Sequence, residues 1–150
     1  MVGGDTLICK TGIYAGNLNQ VDHFETVPPS GSPGNPTIIR GETPNAYDVI
    51  FDGENARAMI DVDGGTFSWV EFRDLVYIRQ GGANPNPLGR GIQVAGVGIA
   101  NRTIQRVFFK RIAVQNYFRL ANAQFVTLED VFCAGRGRYN FEAFHCNDIV

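Results

Sequence analysis

The chain has 150 residues and a formal charge of −2, with 44% hydrophobic and 19% charged residues. That length can bury one core, and no apolar run approaches the ~18 residues of a transmembrane helix. The three cysteines (Cys9, Cys133 and Cys146) are odd in number and lack the C-x-x-C spacing of a zinc or redox site.

Eighteen glycines, seven prolines and eleven phenylalanines suit a mostly β chain with many turns. The predicted strands, in order, are Thr6–Cys9, Thr37–Arg40, Val49–Phe51, Ala58–Val62, Trp69–Ile78, Gly91–Ala95, Thr103–Gln115, Tyr117–Leu120, Gln124–Cys133, Tyr139–Phe144 and a start at Ile149. No segment has a helical stripe with a cap and a stop. Loops rich in Gly, Pro and Asn, 28–36 and 81–87, separate the strands. The opening MVGGDTLICK has no charged start followed by an apolar stretch, so it does not read as a secretory signal.

Charge is unevenly spread. Residues 1–75 hold eleven acids against four bases, whereas residues 102–138 hold seven bases against Glu129 and Asp130. A basic half attracts anionic polymers, while a solvated surface with local ion pairs is the plainer alternative.

Repetition is the stronger signal. Val70–Leu75, Val107–Ile112 and Val126–Val131 each run apolar, variable, apolar, two polar, apolar. The large central residues Phe51, Phe72, Phe109 and Leu128 are 21, 37 and 19 apart, and the middle step becomes about 22 if the Gly81–Gly89 region is an inserted loop. A second series, with Ile39 and Ile60 and later Phe118–Leu120 and Tyr139–Phe141, interleaves with it. Stacked coils of that length predict an all-β, right-handed parallel β-helix. Its expected columns are Phe51/Phe72/Phe109/Leu128 and Leu75/Ile112/Val131, with Val49–Phe51 paired to Val70–Phe72 and Val107–Phe109 to Val126–Leu128. Asp74, Arg111 and Asp130 would then stack at a bend with alternating sign.

Gly4-Asp5-Thr6-Leu7-Ile8 followed by Gly12-Ile13-Tyr14 resembles the G-D-T-I-x-x-x-x-G-x-Y opening of pectate lyase-like β-helix proteins. Residues 31–41 resemble their G-T-x-x-N-P-I-T-I-x-G second coil, and Val49–Gly53 their V-I-x-G. Polysaccharide lyases such as chondroitinase B and alginate lyases share this opening. The resemblance implies a solenoid of which residues 1–150 are a partial domain, truncated at both ends. It also implies an extracellular or cell-surface parent protein. The implied activity is β-elimination on an acidic, uronate-containing polysaccharide, with a non-catalytic glycan-binding, adhesin or spike module as the alternative. Nucleic acid is not an expected partner, because the bases do not interleave with an aromatic platform motif. The missing coils of a parent chain, or self-association through open ends, are expected instead.

Such elimination needs a base and a group that neutralises the uronate carboxylate. Lys110 and Arg111 are the candidate catalytic bases, with a ladder-paired bend as their structural alternative. Arg102, Arg106 and Arg119 are candidate substrate binders. Asp61 and Asp63 lie at i, i+2 and, with Asp52 one coil earlier, form a candidate Ca²⁺ site. Trp69, Tyr77, Tyr117 and Tyr139 are either core or a sugar-stacking platform. Asn116, Asn122, Asn140 and Asn147 follow strands, where they can stack as bend ladders. His145 and Cys146 are adjacent and point to opposite faces of a strand, so they form no dyad. Cys133 is expected as a buried thiol, with a Cys133–Cys146 bridge as the alternative.

Overall fold

The structure, a computed structural model, describes residues 1–22, 27–79, 90–96, 104–115, 117–134 and 141–150. The described residues are almost all strand: β1 (Thr6–Cys9), β2 (Gly12–Ala15), β3 (Val21–Asp22), β4 (Thr37–Gly41), β5 (Val49–Asp52), β6 (Ile60–Gly65), β7 (Phe67–Ile78), β8 (Arg90–Gly96), β9 (Ile104–Gln115), β10 (Tyr117–Ala121), β11 (Ala123–Ala134), β12 (Phe141–Phe144) and β13 (Asn147–Ile149). The helical turns among them, Asn17–Asn19 and Ala46–Asp48, are three residues each. The sequence pattern locates the strands it names, with shifts at the ends, except that the strand expected to start at Ile149 ends there instead. It misses β2 and the two-residue β3.

Every strand-to-strand ladder among the described residues is parallel. A first sheet runs β1-β4-β7-β9-β11-β13, with β2 and β5 continuing it beside the far half of β7; a second runs β3-β6-β8-β10-β12. From β5 onward the chain alternates between the two sheets.

The inward residues of the long strands follow a rule that simple alternation does not give. Phe67, Val70, Phe72, Leu75 and Tyr77 are buried in β7, and Ile104, Val107, Phe109, Ile112 and Val114 in β9. The spacing is three, two, three, two. Each step of three spans a residue with positive φ: Trp69 and Asp74 in β7, Arg106 and Arg111 in β9, and Phe125 and Asp130 in β11. Such a residue turns the strand by a corner and returns the next side chain to the core. Gly41 lies at the same corner beside Asp74, where a Cβ would come within 2.5 Å of the Asp74 carbonyl oxygen. The backbone there passes too close for any side chain.

Register gives the columns. Ile39, Phe72, Phe109 and Leu128 align across the first sheet, as do Leu75, Ile112 and Val131. Val107–Phe109 pairs with Val126–Leu128 as the repeat predicts. Phe51 does not join Phe72, which corrects the expected column. Residues 37–52 supply two strands to the first sheet: β4 takes the near half of β7, so Val49–Asp52 falls beside Val76–Ile78 and Phe51 aligns with Tyr77. The Ile39/Ile60 series is corrected likewise, since Ile39 pairs with Phe72 in one sheet and Ile60 with Ile92 in the other. Aromatic stacks run along the columns, Phe72–Phe109 at 5.2 Å and Tyr14–Phe51–Tyr77 at 5.2 and 5.4 Å. An edge-on Phe109–Phe118 contact at 4.8 Å ties the two sheets together.

Leu128 and Val131 pack only partly buried against this core. The corner acids and bases form the expected ladder: Arg111 donates through Nε to Asp74, and Asp130 takes the same corner one strand on. The three cysteines are free thiols; Cys9 is buried, and Cys133 and Cys146 are half-buried.

Candidate functional site

The outer face of the first sheet carries a groove of about 510 Å³. Its floor is Phe108 and Thr127, which share an outward register position with Glu71. Pro36 and Gly34 of the loop before β4 form part of its lining. That loop is held down by Gly31, whose amide donates to the Ser68 carbonyl at 3.0 Å, and by the Ser30 hydroxyl, which accepts from the Ser68 amide at 3.0 Å.

Beside the floor lies the corner column Trp69, Arg106 and Phe125. All three have positive φ, which swings their side chains outward from adjacent strands. The Arg106 guanidinium carbon sits 5.1 Å from the Trp69 ring centre and 4.8 Å from that of Phe125. The cation is therefore sandwiched between two aromatic faces. Arg106 Nη1 also donates to Gln105 Oε1 at 3.2 Å. On the other side, the Arg73 guanidinium lies 5.8 Å over the Phe108 ring and is ion-paired to Glu71. Two guanidinium groups and one carboxylate thus surround aromatic surface, which suits a ligand with apolar faces and anionic or hydroxyl edges.

The other sequence candidates are distributed differently. Lys110 is ion-paired to Glu129 and Arg111 to Asp74, each one strand away, so both occupy the ladder-paired bend. The Asp74 hydrogen bond, the larger cause, raises the Arg111 pKa above its ordinary value. Arg119 lies on β10 of the second sheet, 3.3 Å from Glu142 and with Nη1 3.4 Å from Gln93 Oε1, and it does not join Arg106. Arg102 falls outside the described residues.

The acids of the expected Ca²⁺ site lie on strands of different sheets. Asp52 ends β5 in the first sheet, whereas Asp61 and Asp63 lie in β6 of the second. Arg79 Nε reaches both oxygens of Asp52, at 2.9 and 3.1 Å, and the Glu54 amide donates to Oδ1 at 2.9 Å. The Arg79 hydrogen bond holds the Asp52 carboxyl below the ordinary carboxylate range, against the opposing effect of burial. Among the described residues no three His, Cys, Asp or Glu side chains form a metal-binding group.

Of the four named aromatics, Trp69 lines the groove. Tyr77 is core, and burial pushes its phenol well above its ordinary pKa. Tyr139, Asn116 and Asn140 lie outside the described residues. Asn122 has φ of +50° and donates through Nδ2 to the Gly96 carbonyl at 3.1 Å, the bend role expected of it. Sequence reading missed Phe108, Phe125 and Arg73. The signal for Phe108 was its place between the inward residues Val107 and Phe109, which forces it outward. Phe125, before the inward Val126, had the same signal, and only the corner brings it against Arg106. No helix among the described residues is long and apolar enough to cross a membrane.

No protein-family model, curated protein or solved structure matches the chain.

Proposed function

We propose that the two sheets are walls of a right-handed parallel β-helix and that the first-sheet flank binds acidic polysaccharide. Three features support the fold reading: parallel pairing in every strand ladder among the described residues, alternation of the chain between sheets, and corners that recur at Trp69/Arg106/Phe125 and Asp74/Arg111/Asp130. The right hand is the one that parallel crossovers strongly favour. A pectate lyase-like kinship, and a parent protein at or outside the cell surface where such polymers are met, belong to the same proposal.

The observation that carries the binding reading is the Trp69–Arg106–Phe125 sandwich beside Phe108 and Arg73. Aromatic faces stack on sugar rings, and guanidinium groups supply charge-assisted hydrogen bonds to carboxylates. Lys110 and Arg111 each hold an acid, which favours binding over proton abstraction. The test is titration of polygalacturonate and of a neutral glucan at low and high salt, with the absorbance of unsaturated product followed in parallel. Binding of the polyuronate that weakens with salt, without product, is the expected outcome. Equal affinity for the neutral polymer overturns the acidic preference, and rapid product formation overturns the non-catalytic reading.

A further inference from the structure

We infer, on the reading that this flank binds acidic polysaccharide, that Glu71 sets the charge spacing the groove accepts. The favoured ligand is then an acidic polysaccharide whose ionised uronates are separated by uncharged sugars.

The charged residues lining the groove are Glu71, Arg73 and Arg106. The two guanidinium groups are not equivalent. Arg106 has no carboxylate partner among the described residues; its Nη1 donates to the neutral Gln105 Oε1 at 3.2 Å. Trp69 and Phe125 lie against its two faces. With its faces covered, the group meets a ligand through its N–H edge, which matches a carboxylate. The backbone points the same way. Trp69 and Phe125 have φ of +57° and +55°, a left-handed conformation that bulky residues resist and that clusters at binding sites.

Arg73 is already engaged. It stands two residues from Glu71 on the same outward face of β7, and the two side chains form an ion pair. The Glu71 side chain is 18% exposed and that of Arg73 33%. The Arg73 guanidinium lies over the Phe108 ring, and its Nε is buried without a hydrogen-bond partner. A pair so shielded differs from a surface salt bridge, because removing one partner strands the other charge where water solvates it poorly. A ligand carboxylate that captured Arg73 would leave Glu71 unpaired. One placed beside the intact pair would face the charge of Glu71.

A hydroxyl meets neither penalty. It donates to the Glu71 carboxylate, which can only accept, and accepts from the guanidinium, which can only donate. The groove therefore offers one carboxylate position, at Arg106, and one hydroxyl position, at Arg73 and Glu71. Phe108, two residues from Arg106 and in register with Glu71, supplies the ring face that links them. The bases in register with Arg73, which are Arg40 and Lys110, lie outside the groove lining, and Lys110 is held by Glu129.

Two probes differ in charge spacing alone: polygalacturonate, ionised on every ring, and the same polymer partly methyl-esterified. Calorimetric titration of both at one ionic strength gives the ratio of their affinities. The native chain should bind the partly esterified polymer several-fold more tightly. Glu71→Gln should tighten the fully ionised polymer several-fold and remove that preference, whereas Arg73→Gln, which leaves Glu71 bare, should widen it. The double variant Glu71→Gln with Arg73→Gln strands no charge, so it serves where a single change prevents folding, and its ratio should lie near one. A native ratio near one, or a preference that persists in both Glu71→Gln and the double variant, overturns the role of Glu71. If Arg106→Gln still weakens salt-sensitive binding in that case, the acidic-polysaccharide reading stands without it. Failure of the native chain to bind either polymer overturns that reading and this inference together.

Discussion

Arg111 and Asp74 occupy the same corner of neighbouring strands, both with positive φ, and the Arg111 Nε donates to Asp74 Oδ1. Two demands meet at this position. The backbone must turn left-handed so that Ile112, like Leu75, returns to the core, and the side chain must neutralise the charge one strand away. Arg111→Gly removes the ion pair and relaxes the backbone. Arg111→Val removes the same ion pair but places a β-branched residue in a conformation it resists. Urea unfolding should therefore find the Val variant less stable than the Gly variant, by about 1–2 kcal/mol. Equal stability of the two would show that the corner exerts no backbone constraint.

Burial along one column should set the cost of truncation. Phe109 is fully buried between Phe72 and Leu128 and touches Phe118 across the sheets. Phe109→Ala should cost about 3–5 kcal/mol, in the range of large cavities in rigid cores. Leu128 belongs to the same column but is only partly buried, so Leu128→Ala should cost clearly less than the ~2–5 kcal/mol of a fully enclosed leucine. The ratio of the two losses, from chemical denaturation with unchanged m-values, measures how far the core closes at that end.

The same column shows how much of the fold was legible in the sequence. The apolar-variable-apolar-polar-polar-apolar repeat placed Phe72, Phe109 and Leu128 in register, because a corner of fixed geometry demands the same pattern on each strand. It placed Phe51 wrongly. A single large residue followed by Asp-Gly looks alike in either half of a long strand, and only the short strand Thr37–Gly41 ahead of it decides which half it pairs with. The site was less legible for a related reason. Arg106 was picked out by charge; Phe125 precedes the inward Val126, so alternation alone turns it outward, but only the corner brings it against Arg106. Arg102 and Arg119 were grouped with Arg106 by proximity along the chain, whereas Arg119 belongs to the other sheet.

The Asp52 carboxylate supplies a pH signature. Its hydrogen bonds from Arg79 and from the Glu54 amide lower its pKa in the folded chain. A depressed carboxyl stabilises the fold fully above its unfolded value, about 3.9, and that contribution disappears as pH falls through the lower folded value. Stability of the native chain should therefore drop on acidification below about pH 4. Asp52→Asn should be less stable at neutral pH but show a shallower acid slope, since the amide has no proton to gain. Melting temperatures measured from pH 2 to 6 give both curves, and parallel slopes would remove Asp52 from the acid response.

The groove residues should separate stacking from charge. Phe108 offers an aromatic floor without charge, so Phe108→Ala should weaken binding of charged and neutral sugars by a similar factor and leave the salt dependence unchanged. Arg106 offers charge held between Trp69 and Phe125. Arg106→Gln should weaken only the polyuronate and flatten its salt dependence, because exposed charge is screened within ~8–10 Å at physiological ionic strength. Trp69→Ala is the discriminating variant. It leaves the guanidinium in place but removes one of the faces that orient it, so affinity should fall while the salt slope persists. Calorimetric titration of the three variants at two salt concentrations reads each outcome. If Trp69→Ala and Arg106→Gln flatten the slope equally, the sandwich acts as one electrostatic unit and the aromatic contribution to sugar binding is lost from the argument.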